Sequence, residues 1–299
     1  MSRDHQDDEM NIQCPVCDSD RVSHLRPYRP PAEHGPFAGL HVYRCTACSM
    51  GFAYPVPDEK ALDQYYAHEY RTESDSARPI SAWSAQEIRA RSQVDFVTRQ
   101  AMPLQIRNWL DIGAGFGFLL DAARELRATT AAIEPDQQAR KRLTRQGHHT
   151  FEDLRAIDTQ WDVISFSHVL EHVRVPRAFL AHVSTILTDG GCVFCEVPNE
   201  IRLSDAPNDL PHLLFFQHDS LGRLFEGAGF QIVALQSCGN RWDMSETTIQ
   251  SQMQQLARRL GRRVLNRPPT WAARLLYPHY AYSGNGDRKW LRLVARKVA

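Results

Sequence analysis

The 299-residue sequence lacks four features, and each absence narrows what the protein does. No apolar run approaches the roughly 18–20 residues that span a bilayer, so no membrane-spanning helix is expected. There is no net charge, because 35 basic residues balance 35 acidic ones. Proteins that grip long nucleic acids by their general field carry a basic excess, since phosphate neutralisation supplies most of that affinity. Nucleic acid is therefore not the expected partner. Internal repeats and low-complexity tracts are also missing. Finally, the opening stretch Met1–Glu9 is acidic and polar, the opposite of a secretory signal. The reading is of a cytoplasmic protein whose seven cysteines are reduced, with clustered ones serving as metal ligands rather than disulfides.

What is present divides into three parts. Residues 1–57 are rich in proline, cysteine and turn formers. Residues 58–103 read as a helical lead-in, broken near Ser74–Pro79, that covers a cleft. Residues 104–299 alternate short apolar runs with amphipathic ones, with a helical insertion at about 240–286. In this part Asn108–Ile112, Thr129–Ile133, Trp161–Phe166 and Gly191–Val197 read as buried strands. Helical spacing follows each of the first three, near Phe118–Leu126, Gln137–Gln146 and Ala178–Leu187. Gly229–Leu235 and Trp290–Ala295 read as the last strands. Such alternation predicts an α/β fold, a doubly wound parallel sheet covered on both faces.

Cys14-Pro-Val-Cys17 and Cys45-Thr-Ala-Cys48 are two Cys-x-x-Cys knuckles. Four thiolates close a tetrahedral structural site around one Zn2+. With so few apolar residues, the segment needs metal binding energy to fold. Cys192-Val-Phe-Cys195 has the same spacing inside a predicted strand. Residues three apart in a strand face opposite ways, so this pair is core filler, as is Cys238.

Asp111-Ile-Gly-Ala-Gly-Phe-Gly117 joins a strand to a helix, and the next strand ends at Glu134-Pro135. Glycine lets backbone approach a ligand closely, and a carboxylate there can accept both hydroxyl protons of a ribose. In this order the segment from about Trp109 to Phe230 resembles the class I S-adenosylmethionine-dependent methyltransferases. The resemblance implies a Rossmann-like, mostly parallel seven-stranded sheet with a small zinc-ribbon-like module in front. It implies S-adenosylmethionine as cofactor and S-adenosylhomocysteine as product. Asp111, Gly113, Ala114, Gly115 and Gly117 would cradle the methionine part, with Glu134 and Pro135 at the ribose. Asp153 and Leu154 would flank the adenine, and Phe166, Ser167 and His168 would lie beside the cofactor.

Ser167-His-Val-Leu-Glu-His172 also contains His-x-x-Glu-His, a zinc-peptidase signature that on a helix would place His168 and His172 on one face. Its position after the fourth parallel strand favours the methyltransferase reading, in which the Glu and His orient a loop or meet substrate. A base able to take a hydroxyl proton is expected among His168, His172 and His212. Around His212 the sequence resembles methyltransferases that carry a zinc module and act on nucleotide-linked sugars. Those acting at carbon have glutamate where this chain has Pro211, which favours an oxygen nucleophile. Tyr65, Tyr66 and Tyr70 are candidates to line the cleft. Arg258, Arg259, Arg262, Arg263 and Arg267 mark either a solvated face or a phosphate grip. The expected activity is methylation of a small molecule or glycan, by a monomer or homodimer; the alternative is a zinc-module RNA base methyltransferase.

Overall fold

A computed structural model describes residues 12–29, 34–68, 80–201, 203–206, 208–240, 280–283 and 288–298. The N-terminal part builds on short strands rather than helices. Strand β1 (Val22–Pro27) pairs antiparallel with β2 (His41–Cys45), which pairs antiparallel with β3 (Gly51–Tyr54). Helices α1 (Glu59–His68) and α2 (Ile80–Ala101) follow.

Next comes the alternating part: β4 (Asn108–Ile112), α3 (Phe118–Arg124), β5 (Thr129–Ile133), α4 (Gln137–Arg145) and β6 (His149–Phe151). The chain then returns through β7 (Trp161–Ser167), α5 (Pro176–Thr185), β8 (Leu187–Pro198), β9 (Leu214–Phe215), α6 (His218–Gly227) and β10 (Phe230–Asn240). It ends with β11 (Tyr280–Ser283) and β12 (Trp290–Lys297). Local chemistry sets several boundaries. Asp136 caps α4 by accepting from the Ala139 N–H at 2.6 Å, and Pro176 opens α5, where a missing N–H costs nothing.

The sheet order is β11-β10-β12-β8-β7-β4-β5-β6. Strands β4 through β8 are mutually parallel, and β12 runs antiparallel between β8 and β10. This is the predicted seven-stranded arrangement with one addition. Strand β11 extends the edge beyond β10, so residues 280–283 of the expected helical insertion are extended instead. Residues 241–279, with the five arginines, lie outside the described residues, as does Tyr70.

The sheet is covered on both faces, as continuous apolar strands require. Trp109, Val163, Cys192 and Phe194 pack with Val94 and Val97 of α2 and Leu120 of α3. Leu110, Ile164, Val193 and Cys195 face the other layer, with Leu180 of α5 and Leu224 of α6. Cys192 and Cys195 thus fall on opposite faces, and Cys238 is buried too. Helix α2 belongs to a core layer and also meets Ser167 and His168, at the end of β7, through Gln93 and Arg89. Strand β9 does not join the large sheet. Its Leu214 and Phe215 pair with Phe52 and Gly51 of β3 and so extend the N-terminal sheet into the heart of the chain. Among the described residues, no helix is long and apolar enough to cross a membrane.

Candidate active site

The chain leaves β4 toward β5 and β6 on one side, then returns to β7 on the other. Where strand order reverses in this way, a crevice opens beyond the carboxyl ends of the strands. The glycine turn lies there. Gly113, Gly115 and Gly117 have φ of 72°, 57° and 82°, the left-handed region that side chains avoid. A Cβ on Gly113 would stand 2.5 Å from Val169 Cγ2. The turn is pinned by the Gly113 N–H donating to the Ile133 carbonyl at 2.7 Å.

Glu134 lies on the same side of the sheet and touches the turn. Its Oε2 accepts from the Gly115 N–H at 2.9 Å and its Oε1 from the Asp136 N–H at 3.1 Å. Asp111 is buried beneath the turn and accepts from Ser165 Oγ at 2.6 Å. Burial pushes its carboxyl up to about 7, with Glu134 adding to the rise and the Ser165 hydrogen bond opposing it. Asp153 opens a short 3-10 turn, Leu154–Ala156, and is paired with Arg155, which holds its carboxyl below the ordinary value. Leu154 is half-buried against the core. Phe166 is fully buried, with Phe179 at 5.1 Å and Phe225 at 6.3 Å between ring centroids, so its ring serves the core rather than the crevice. Ser167 Oγ accepts from Gln93 of α2 at 2.9 Å.

The two histidines of the His-x-x-Glu-His string do not share a helical face. His168 has φ 57°, and only Leu170–His172 forms a 3-10 turn, which sends the two rings apart. The peptidase geometry, which needs both rings on one helical face, is therefore not formed. His168 faces Glu171, Arg89 and Glu196. His172 instead faces His212, with ring centroids 5.1 Å apart, and Tyr66, at 5.6 Å.

Burial works against charging His168, as does Arg89, but Glu171 and Glu196 outweigh both and hold it above its ordinary value. His172 is held below its ordinary value by burial, and burial brings His212 down to about 4. Both imidazoles are therefore neutral near pH 7, the form that accepts a proton or a metal.

The sequence reading missed the charges beside His168. Glu196 of β8 and Arg292 of β12 are both fully buried, and Arg89 of α2 joins them on Glu196. Burial works to raise the Glu196 carboxyl, but the two guanidiniums overcome it and hold it well below the usual range. The available signal was a single charge inside each of two apolar strands, Cys-Val-Phe-Cys-Glu-Val and Trp-Leu-Arg-Leu-Val.

The loop carrying His212 is held by the N-terminal module. Arg26 of β1 forks onto Asp209, with Nη1–Oδ2 at 2.5 Å and Nη2–Oδ1 at 2.7 Å. Tyr28 Oη donates to the His212 carbonyl at 2.8 Å, and the His212 N–H donates to the Asp209 carbonyl at 2.7 Å. Tyr66 Oη donates to the Pro211 carbonyl at 3.3 Å, while Tyr65 packs edge-on against Phe37.

Cys14, Cys17, Cys45 and Cys48 converge in the module. Sulfur separations are 3.6 Å for Cys14–Cys48, 3.6 Å for Cys17–Cys45 and 3.5 Å for Cys17–Cys48. A zinc tetrahedron with bonds of about 2.3 Å has edges of about 3.8 Å, so the four thiols fit that ion. Backbone N–H groups of Val16 and Ala47 point at Cys14 and Cys45, as a thiolate cluster requires.

The methyltransferase domain family matches residues 75–235. A ubiquinone biosynthesis O-methyltransferase of Parvibaculum lavamentivorans is 29% identical over 158 residues, 48% of this chain and 62% of that protein. A protein of the same name from Dinoroseobacter shibae is 29% identical over 128 residues, covering 36% and 52%. The chain thus spans between half and two thirds of these curated relatives. Among solved structures, magnesium protoporphyrin IX methyltransferase from Synechocystis PCC 6803, with bound SAH, superposes with a TM-score of 0.51 at 10% identity, covering 81% of this chain and all of that one. A plantazolicin methyltransferase in complex with a triazolic desmethylPZN analog and SAH gives 0.50 at 15% identity, covering 79% and 94%. At such identities these two share the fold alone.

Proposed function

The chain belongs to the methyltransferase domain family, and from that premise we propose that it transfers a methyl group from S-adenosylmethionine to an oxygen of a small molecule or glycan. The observation that carries the reading is the contact of the Gly115 N–H with the Glu134 carboxylate at the reversal of strand order. It sets a glycine-rich turn against a carboxylate, and such a pair suits the methionine and ribose parts of the cofactor. S-adenosylmethionine would supply an activated methyl on a sulfonium. Asp111, Gly113, Ala114, Gly115 and Gly117 would meet its methionine end, Glu134 and Pro135 its ribose, and Asp153 with Leu154 its adenine. Ser167 and His168 would border the crevice from β7, with Phe166 supporting them from the core. A structural Zn2+ in the four-cysteine cluster would stiffen the module that holds the His212 loop.

Methyl transfer to a hydroxyl needs alignment and removal of its proton. Neutral imidazoles at His172 and His212 support that role, with His212 proposed as the group nearest the acceptor. His168, engaged by Glu171, Glu196 and Arg89, is proposed to position the loop. The names of the curated relatives support an oxygen acceptor. His212→Ala should lower turnover of a methyl acceptor by about 10²–10⁴ while S-adenosylhomocysteine affinity, read by calorimetry, stays within a factor of two. Wild-type turnover in that variant would end the role of His212; loss of cofactor binding together with turnover would move it to the cofactor site.

A further inference from the structure

The cluster of His172 and His212 holds a third member that acid–base chemistry alone does not explain. The carboxylate of Glu171 and one nitrogen from each of His172 and His212 lie within 4.8 Å of one another. Glu171 is 1% exposed, and neither of its oxygens receives a hydrogen bond. Its Oε1 stands 3.0 Å from His168 Nδ1, but without hydrogen-bond geometry. A buried carboxylate is ordinarily hydrogen-bonded on both oxygens; Glu171 has the His168 ring beside Oε1 and no hydrogen bond on Oε2, so that oxygen is available as a ligand.

We infer that Glu171, His172 and His212 form a binding site for a divalent transition-metal ion, separate from the four-cysteine cluster. Two imidazoles and one carboxylate make a three-ligand set that suits cobalt, zinc or ferrous iron, whereas magnesium and calcium prefer oxygen throughout. The tautomer of His172 is set by its surroundings. Its Nδ1 lies 3.2 Å from the Pro211 carbonyl, which can only accept, so Nδ1 carries the proton and Nε2 the lone pair. That carbonyl is itself held by Tyr66 Oη.

The backbone ties the two halves of the set together. The Leu213 N–H donates to the Glu171 carbonyl at 2.8 Å, so the 3-10 turn bearing two ligands is fastened to the loop bearing the third. Ligand atoms around an ion at about 2.1 Å stand roughly 3.0–3.5 Å apart, so side-chain shifts of about an ångström complete the site. Glu171 forms its floor, and the two partly exposed imidazoles form its open side. With three protein ligands, further positions remain for oxygens of an acceptor, and coordination would ease loss of a hydroxyl proton. That last consequence rests on the proposed methyl transfer; binding of the ion does not.

Loss of His212 lowers turnover on either account, so the test is binding. The full chain, carrying its four-cysteine metal, is titrated with Co2+ and followed by absorption and by elemental analysis. The wild-type protein should take up one further equivalent whose spectrum lacks thiolate charge-transfer bands. His212→Asn, at a partly exposed position, and Glu171→Gln should each weaken that uptake at least tenfold while keeping the four-cysteine metal and the wild-type circular dichroism. Two results would overturn the site: uptake of cobalt only with thiolate bands, or unchanged affinity in both variants. Neither bears on whether the protein transfers methyl groups.

Discussion

Replacing Arg26 with methionine tests whether the N-terminal module supports the candidate active site. Side-chain exposure is 6% for Arg26 and 0% for Asp209, so the surface-pair value of about 0–1 kcal/mol does not apply. The guanidinium makes two bonds to the carboxylate and two more to the Leu203 carbonyl, at 3.3 and 2.9 Å. Methionine fills similar volume but leaves Asp209 with the Arg29 N–H, at 2.8 Å, as its hydrogen-bond donor. Removing one partner of a buried pair costs about 3–5 kcal/mol, because a charge is stranded. Arg26→Met should therefore lose about that much in urea unfolding. Arg26→Met with Asp209→Asn should recover at least about 1 kcal/mol of it, since no charge is then left unpaired. A loss below about 1 kcal/mol in the single variant, or strict additivity in the double one, would refute the reasoning. The Asp209 carbonyl holds the His212 N–H, so the single variant should also slow the proposed methyl transfer.

Three other outcomes follow from particular groups. Asp111 titrates near 7 in the folded chain against 3.8 unfolded, so the folded state holds a proton between those values. Its contribution is complete below about pH 4 and lost as pH rises to about 7, an excursion of about 4 kcal/mol. Asp111→Asn should lack that slope in urea unfolding at several pH values, and parallel pH dependences in the two proteins would contradict the assignment. Gly113→Ala puts a Cβ against Val169 at a φ of 72°, and should weaken S-adenosylhomocysteine binding at least tenfold and cost about 1–3 kcal/mol of stability; unchanged calorimetric affinity would count against the turn as cofactor site. Cys45→Ser should empty the four-cysteine cluster, and a full zinc complement by elemental mass spectrometry would show that cluster is not the zinc site.

The site joins two sheets that the chain builds separately. The large sheet supplies the crevice, and β9 carries the loop before it into the small sheet. Module and crevice are therefore mechanically continuous. Removal of the proposed Zn2+ from the module should be felt at His212, through Arg26, Tyr28 and the β3–β9 pairing.

Sequence order alone determined whatever depends on local spacing. Alternating apolar runs placed β4, β5, β7 and β8 within a few residues, because a buried parallel strand has no polar face to interrupt it. Two Cys-x-x-Cys knuckles predicted the four-cysteine cluster, and the period of two along β8 separated Cys192 from Cys195. The glycine turn and Glu134 were legible because a strand, a turn and a helix lie consecutively in the chain. Only the tertiary structure decided contacts between distant segments. Nothing local says that Arg89, Glu196 and Arg292 meet, since each comes from a different element and only burial of the charges forces them to pair. Nor could spacing reveal that His168 turns away from His172, because a left-handed backbone at a histidine leaves no mark in the pattern of residues. The convergence of Glu171, His172 and His212 also needed the fold: the small sheet draws residue 212 back onto the 3-10 turn, across a stretch of chain with no periodic signal.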